Sequence, residues 1–549
     1  MLGKIAPAPK LKAAVILDNL SIKKWQREAL ALCLDVVDIE LILNCQNTKN
    51  RRAYGKNIAY YVINILCLKS DLTRSMAFLQ NNYEVKSFSS EYSKGWQKIP
   101  DGLVNEINAR NIDLFIKFGM NLLTIPENLK SRFGVFSYHH GDPEKYRGRP
   151  AGFYEILNNE DRVGIIVQRL SNKLDGGEIY AKAFSKIWHH SYKKTAFNFY
   201  RNSIPLLGKA ISNALRGEIE SNSASGKMYT LPTNSQSLYF LYCLLMRKLN
   251  RVIYGAFFEK KWNILVSPRK DKSPTKMLSE NIRRIEGMVP SIDKRYIFYA
   301  DPFFSADGSK IYVEALNKMN GLGEIISLNK KTCRIEKILL QENHFSYPQS
   351  IGVDDAEYLF PEIVHFASPH FLKLKHGIVS SYERIVGLES YRLADATYFQ
   401  AGNLHLIFAS KLSDASDNLY LFYSESRLGP YREHPMNPVV VDPTCARMAG
   451  SILQEDGKLF RIGQNNSFGY GNRVWICEIR ELTSSKYIEE KIREVGFQDQ
   501  VCGPHTINFD KESMVMDFYV DQFSLLSGYR RLVSLARRKR ATTEFGVPT

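Results

Sequence analysis

From about residue 11 to 215, short β-branched apolar runs alternate with longer stretches of helical period. Residues 13–17, 39–43, 113–118 and 134–138 read as buried strands, with a shorter strand near Val85. Between them, residues 21–33, 59–67, 71–81 and 104–110 read as helices, the first capped by Ser21. Strands separated by helix-length segments predict an α/β domain with a parallel, doubly wound sheet. A Ser-Asn-Ser-Ala-Ser-Gly stretch at 221–226 has linker composition, and a helix is expected over 238–258.

From Tyr296 the pattern changes to a recurring unit: a turn residue, an alternating apolar strand, an acidic or glycine turn, and a second apolar strand. Copies begin at Asp301, Tyr347, Asp395, Gly450 and Pro504, a spacing of roughly fifty residues that matches propeller blades. Five such units predict an all-β, five-bladed propeller. The expected organisation is an α/β domain over 1–220, a linker and basic helix over 221–275, the propeller over 276–530 and a basic tail over 531–549.

A length of 549 residues fits two domains, and 44% hydrophobic with 24% charged residues is the balance of a water-soluble globular chain. The net charge of +17 favours anionic partners such as nucleotides, phosphorylated sugars, nucleic acid or a phospholipid surface. The basic residues are scattered, denser at 247–251, 260–276 and 537–540, which reads as solvated surface rather than a nucleic-acid site. Eight cysteines without a C-x-x-C pair suggest neither a zinc site nor a disulfide framework, so no metal is expected. Lys4, Lys10 and Lys12 precede no apolar signal core, which makes the cytoplasm the expected compartment. The apolar run 238–246 falls short of the roughly 18–20 residues of a bilayer span, and its basic, aromatic character leaves a peripheral membrane contact open.

The most specific segment is Ser137-Tyr-His-His-Gly-Asp-Pro-Glu-Lys-Tyr-Arg-Gly, followed from Leu174 by Leu-Asp-Gly-Gly-Glu-Ile. It resembles the signature of the folate-dependent formyltransferases, the family of glycinamide ribonucleotide, methionyl-tRNA and sugar N-formyltransferases. There a strand ends in Asn-x-His, a Tyr/Trp-Arg-Gly follows, and a later Leu-Asp-x-Gly-Asp supplies an aspartate. The resemblance implies 10-formyltetrahydrofolate as cofactor and His139, Asp175 and Ser137 as catalytic residues, with Ser137 standing where the family has asparagine. It further implies a folate-bordering loop at Phe118, Gly119, Met120 and Leu122, and substrate contacts from Arg147 and Gly148. Formyl transfer to an amine needs a donor for the tetrahedral oxyanion and a base for the amine proton. A serine hydroxyl is a shorter donor than a carboxamide, so turnover is expected to be weak, rerouted through His140, or absent.

The second half looks like the N-terminal domain of plant glucosamine inositolphosphorylceramide transferases, a propeller similar to the family 43 glycoside hydrolase fold. Ala300-Asp-Pro-Phe, Ser346-Tyr-Pro, Phe360-Pro-Glu, Asp395 and Arg447-Met-Ala-Gly carry that resemblance. It implies a sugar-binding channel with Asp301 as base, Glu362 as acid and Asp395 as tuning group, carboxylates expected to repel one another unless a sugar or cation intervenes. The leading expectation is a formyltransferase acting on an amino sugar, nucleotide-linked, in surface polysaccharide biosynthesis. The alternative is a glycan-active or glycan-binding propeller protein with a degenerate formyltransferase domain, and a third reading is a non-catalytic scaffold.

Overall fold

The computed structural model describes residues 9–533 apart from 49–53, 79–82, 94, 270, 272, 279–280, 283–285, 365, 367 and 499–500. The basic cluster at 537–540 lies outside the described residues. The chain divides into two compact units, Met1–Lys248 and Leu249–Thr549.

In the first unit five parallel strands lie in the order Glu84–Phe88, Val37–Cys45, Leu11–Asp18, Leu114–Lys117, Val135–His139. Ala13, Ala14, Val15, Ile16 and Leu17 are all fully buried, because a central parallel strand is covered on both faces and so reads as an unbroken apolar run. Beyond Val135–His139 the sheet turns antiparallel through Arg162–Arg169 and Glu178–Lys186, so it is mixed rather than wholly parallel. Helices Tyr192–Ser203 and Leu206–Arg216 pack on these two strands.

Three local expectations change. Ser21 opens a short strand, Ser21–Lys23, and the helix that follows is Lys24–Ala31 with Lys23 at its N-cap. The helix expected over 71–81 is a turn and the strand Ser75–Ala77 as far as 78, and 79–81 lie outside the described residues. The stretch 221–226, expected as a linker, is fastened to the first unit. Asn222 Nδ2 donates to Asp175 O at 2.8 Å, Gly226 N donates to Pro143 O at 3.0 Å, and Lys227–Tyr229 pairs in parallel with Tyr146–Gly148.

The second unit is built of strands. Each repeat copy becomes one antiparallel sheet, the four-stranded first two beginning with Tyr296–Phe304 and Phe345–Val353, the third and fourth with Leu393–Ala401 and Arg447–Met448. The fifth sheet joins Phe258–Pro268, from the expected linker, to Ser513–Phe523 and Ile507–Phe509. Apolar cores bind each sheet to the next: Leu359 with Ile325, Ile407 with Phe360, Met448 with Phe408, Met516 with Ile462, and Val515 with Val313. The last of these returns from the fifth sheet to the first.

Candidate functional site

In the first unit, Leu11–Asp18 sits between Val37–Cys45 on one side and Leu114–Lys117 on the other, so the strand order reverses beside it. Open α/β sheets bind ligands at the carboxyl ends of strands next to such a reversal. Asp18, Lys117 and His139 stand at those ends. Register pairs Ser137 with Lys117 and Lys117 with Ile16, so Asp18, Lys117, Ser137 and His139 face one side of the sheet by the two-residue alternation of strands.

His139 Nδ1 lies 3.3 Å from Asp175 Oδ1, and both side chains are about nine-tenths buried. The other ring nitrogen, Nε2, is 3.3 Å from Tyr146 O. Both nitrogens therefore face acceptors, of which a neutral ring, with one N–H, can serve one at a time. Asp175 adopts a left-handed backbone, φ 52°, and its Oδ2 accepts from Gly148 N at 2.9 Å. Arg147 Nη2 donates to Leu174 O at 2.7 Å, so Arg147 braces the loop that carries Asp175. Gly148 has φ 85°, and a Cβ there would sit 2.1 Å from Tyr229 O, which fixes glycine at this crossing. Ser137 is buried on the same strand as His139. The structure thus brings Ser137, His139, Arg147, Gly148 and Asp175 together.

The loop after Leu114–Lys117 folds back on its neighbour: Phe118 N and Gly119 N each approach Ile16 O at 2.9 Å, and Met120 N donates to Asp18 Oδ1 at 3.0 Å. A Cβ on Gly119 would lie 2.6 Å from Leu17 C, so only glycine admits this approach. Met120 is fully buried, whereas Phe118 and Leu122 are half-exposed along the edge of the site. Lys117 went unnoticed in the sequence because it interrupts an otherwise apolar strand. Desolvation draws its ammonium down to about 8, with Asp18 opposing.

His140, the expected alternative route, points elsewhere. It meets Trp25 edge-on at 5.5 Å, packs on Phe199 and Tyr200, and its Nε2 is 2.9 Å from Ser203 Oγ. Desolvation among these rings, with the charge of His139 adding, pulls it down to about 3, so it is neutral at physiological pH. His140→Phe is accordingly expected to cost about 0.5–1.5 kcal/mol of stability for one lost hydrogen bond, Ser203 Oγ still donating to Phe199 O at 2.7 Å, and to leave the pH profile of any activity unchanged. A profile whose inflection moves would place His140 in the chemistry.

In the second unit Asp301, Tyr347 and Asp395 hold φ of 49°, 50° and 48° at bulges in the first strands of three successive sheets. Cross-strand register sets Glu314, Glu362, Ser410 and Gln464 at matching positions on the second strands, opposite Ala300, Ser346, Ala394 and Arg447. Sequence reading found Asp301, Glu362 and Asp395 but missed Glu314, whose match to Glu362 shows only in the pairing, and His505 and Asp517, which meet Asp301 from the far end of the unit's sequence. The expected mutual repulsion is already relieved within the chain. Arg447 grips Asp395 at 2.5 and 3.1 Å, and Gln464 Nε2 donates to it at 2.6 Å. His505 sits between Asp301, 3.2 Å from Nε2, and Asp517, 2.5 Å from Nδ1. The two aspartates raise His505 to about 10 against the desolvation that would lower it. Glu362, whose Oε2 accepts from Asp395 N at 3.1 Å, is pushed up to about 7 by burial and then by Asp395. Glu314 rises well above the usual carboxyl range through burial and then Asp301.

Among the described residues two groups present ligand atoms close enough for a metal: Asp301, His505, Asp517, and Cys445, Cys477, Glu489. Each already encloses a cation of the chain. His505 is protonated on both nitrogens near neutrality, and Arg461, fully buried, reaches Glu489 at 2.5 Å.

Over residues 288–514 the chain matches the family model described as glucosamine inositolphosphorylceramide transferase 1, N-terminal. The curated protein of that name from Oryza sativa subsp. japonica is 28% identical over 225 residues, 38% of this chain and 30% of the relative. Its counterpart in Arabidopsis thaliana is 26% identical over 212 residues, 36% of this chain and 27% of the relative. The match thus spans less than a third of either relative's length. Among solved structures, an N-formyltransferase from Helicobacter canadensis aligns with 14% identity over 58% of this chain and 99% of that one, TM-score 0.27. Zg3597, a family 117 glycoside hydrolase of Zobellia galactanivorans, aligns with 11% identity over 48% and 91%, TM-score 0.29. Residues 288–514 are similar in sequence to the N-terminal region of glucosamine inositolphosphorylceramide transferase 1.

Proposed function

We propose that the first unit transfers a formyl group to the amine of an amino sugar, nucleotide-linked, for surface polysaccharide synthesis in the cytoplasm. The observation that carries this reading is the buried His139–Asp175 pair, beside Ser137 and Lys117 at the carboxyl ends of strands flanking the reversal in strand order. The groups fit formyl transfer: the Ser137 hydroxyl and the His139 ring in its protonated form can donate to the formyl oxygen, and the neutral Lys117 amine on the same face of neighbouring strands can serve as base. The loop of Phe118, Gly119, Met120 and Leu122 would hold 10-formyltetrahydrofolate, which supplies the formyl group. Asp175 orients the His139 ring, and His139 Nε2 turns from Tyr146 O to the reacting carbonyl. Lys117, drawn down to about 8, loses and regains a proton near neutrality and is suited to take one from the acceptor amine. Arg147 and Gly148 shape the acceptor side through Leu174 and Asp175.

Incubation with 10-formyltetrahydrofolate and a panel of nucleotide amino sugars, read by mass spectrometry for an added formyl group, tests the reading. Failure across the panel would overturn it. Ser137→Asn is expected to raise the rate, up to the roughly 10²–10³-fold that one oxyanion donor contributes. A clear loss instead would mean that the site is organised around the serine.

A second reading rests on the second unit. Its five sheets, each cored against the next and the last against the first, support a five-bladed propeller in which Asp301, Glu362 and Asp395 face a sugar-binding channel. Glu362, at about 7, is half-protonated at neutral pH and suits a general acid. The matched region belongs to a transferase named for glucosamine, which supports an amino-sugar ligand there. Sugar binding in the absence of any formyl transfer would favour this reading alone.

A further inference from the structure

The 24-residue helix Asn234–Phe257 buries few of its side chains, Ser237 and Phe240 among them. Leu238, Tyr242, Leu245, Leu249, Val252 and Ile253 are each between 44% and 64% exposed. At 100° per residue these side chains, with Leu241 and Met246, cover an arc of roughly 140°. The stripe runs the length of the helix, because its members recur at alternating spacings of four and three. Monomeric proteins seldom leave so large a contiguous apolar surface bare.

The charge on the same helix selects what covers it. The segment holds Arg247, Lys248 and Arg251 and no acidic residue. A pairing of two copies would need a narrow apolar seam flanked by opposite charges. This stripe is wide, its one bordering charge is Lys248, and the segment offers no acidic residue with which a second copy could pair it; Arg247 and Arg251 lie on the opposite side of the helix. An anionic bilayer surface answers both features: leucine, valine and tyrosine side chains enter the boundary between headgroups and acyl chains, and Lys248 at the edge of the stripe meets lipid phosphates and carboxylates. Among the described residues no helix is long and apolar enough to cross a membrane, so the helix would lie along the surface. At its C-terminal end a second apolar group extends the face. Phe523 stacks on Phe257 at 6.2 Å, and Leu525, Tyr529 and Leu532 beyond it are between 67% and 74% exposed, beside Arg530 and Arg531.

We propose that the helix Asn234–Phe257 docks the protein on anionic phospholipid membranes by this stripe. The proposal is independent of the chemistry read from either unit. Co-sedimentation of the full chain with phosphatidylcholine vesicles, with and without phosphatidylserine, tests it. Binding is expected to the phosphatidylserine-containing vesicles, to weaken by about tenfold in Lys248→Glu and to weaken with added salt. The double variant Leu245→Glu/Leu249→Glu should lose binding altogether while keeping the circular dichroism of the parent, since both side chains are exposed. Equal sedimentation of parent and leucine variant, or no sedimentation of the parent, would overturn the proposal. So would a dimer in light scattering that the leucine substitutions dissociate, which would assign the stripe to a second copy of the chain.

Discussion

Asp175→Asn is expected to lower formyl transfer by about 10²–10⁴-fold with little change in melting temperature. Asparagine keeps an acceptor for Gly148 N, so the loop bearing residue 175 stays closed. What it removes is the negative charge 3.3 Å from His139 Nδ1, and with it the acceptor that holds a proton on Nδ1 and so fixes the tautomer and orientation of the ring. Asp175 acts through His139, so the defect should fall on kcat, leaving the KM for the acceptor nearly unchanged, and should come with a changed pH profile. A variant that instead unfolds at lower temperature, with activity per folded molecule intact, would reduce Asp175 to a loop brace.

The largest expected effect on stability is that of Asp517→Ala. Asp517 is fully buried, and its two oxygens accept from His505 N and Thr506 N at 2.9 Å and from Asp301 N at 3.1 Å, besides pairing with the His505 ring. Breaking a buried ion pair on one side costs about 3–5 kcal/mol, and here three backbone donors lose their acceptor as well. The pH dependence separates this account from simple cavity formation. His505 binds its proton far more tightly in the folded chain, at about 10 against an ordinary 6.5. The stability from that proton is fully present below pH 6.5, declines above it, and is lost as the pH rises through 10. The parent should therefore weaken across this window in denaturant titrations, and Asp517→Ala should flatten the decline. An equally steep decline in both would show that His505 is not held by this pair.

The legible parts of the molecule were those where one physical requirement acts on consecutive residues. The buried strand Leu11–Asp18 needs apolar side chains on both faces, and its run announces it. His139 and Asp175 could be paired because a motif fixes one at a strand end and the other on the loop that meets it. Ser75–Ala77 was misread as helix because a three-residue edge strand buries too little to impose a period. The antiparallel pair Arg162–Arg169 and Glu178–Lys186 was passed over, although Val163, Ile165, Ile166 and Val167 are fully buried. Glu314, Gln464, Asp517 and His505 were invisible for a different reason: their places depend on register between strands or on contacts between distant segments, which no single segment encodes. Lys117 was hidden by the same fact, since its neighbour Ser137 lies on another strand.

The pairing of Phe258–Pro268 with Ser513–Phe523 sets an order of events for a chain leaving the ribosome. The early strand is made first and waits, unpaired along an edge, while four sheets are synthesised. The entropy of closing so long a loop grows only as the logarithm of its length, so the final zipper remains favourable; what the delay imposes is time with an open apolar edge. A message cut short before Ser513 would yield a protein with four sheets cored against one another and one strand bare, a template for aggregation rather than a smaller working domain.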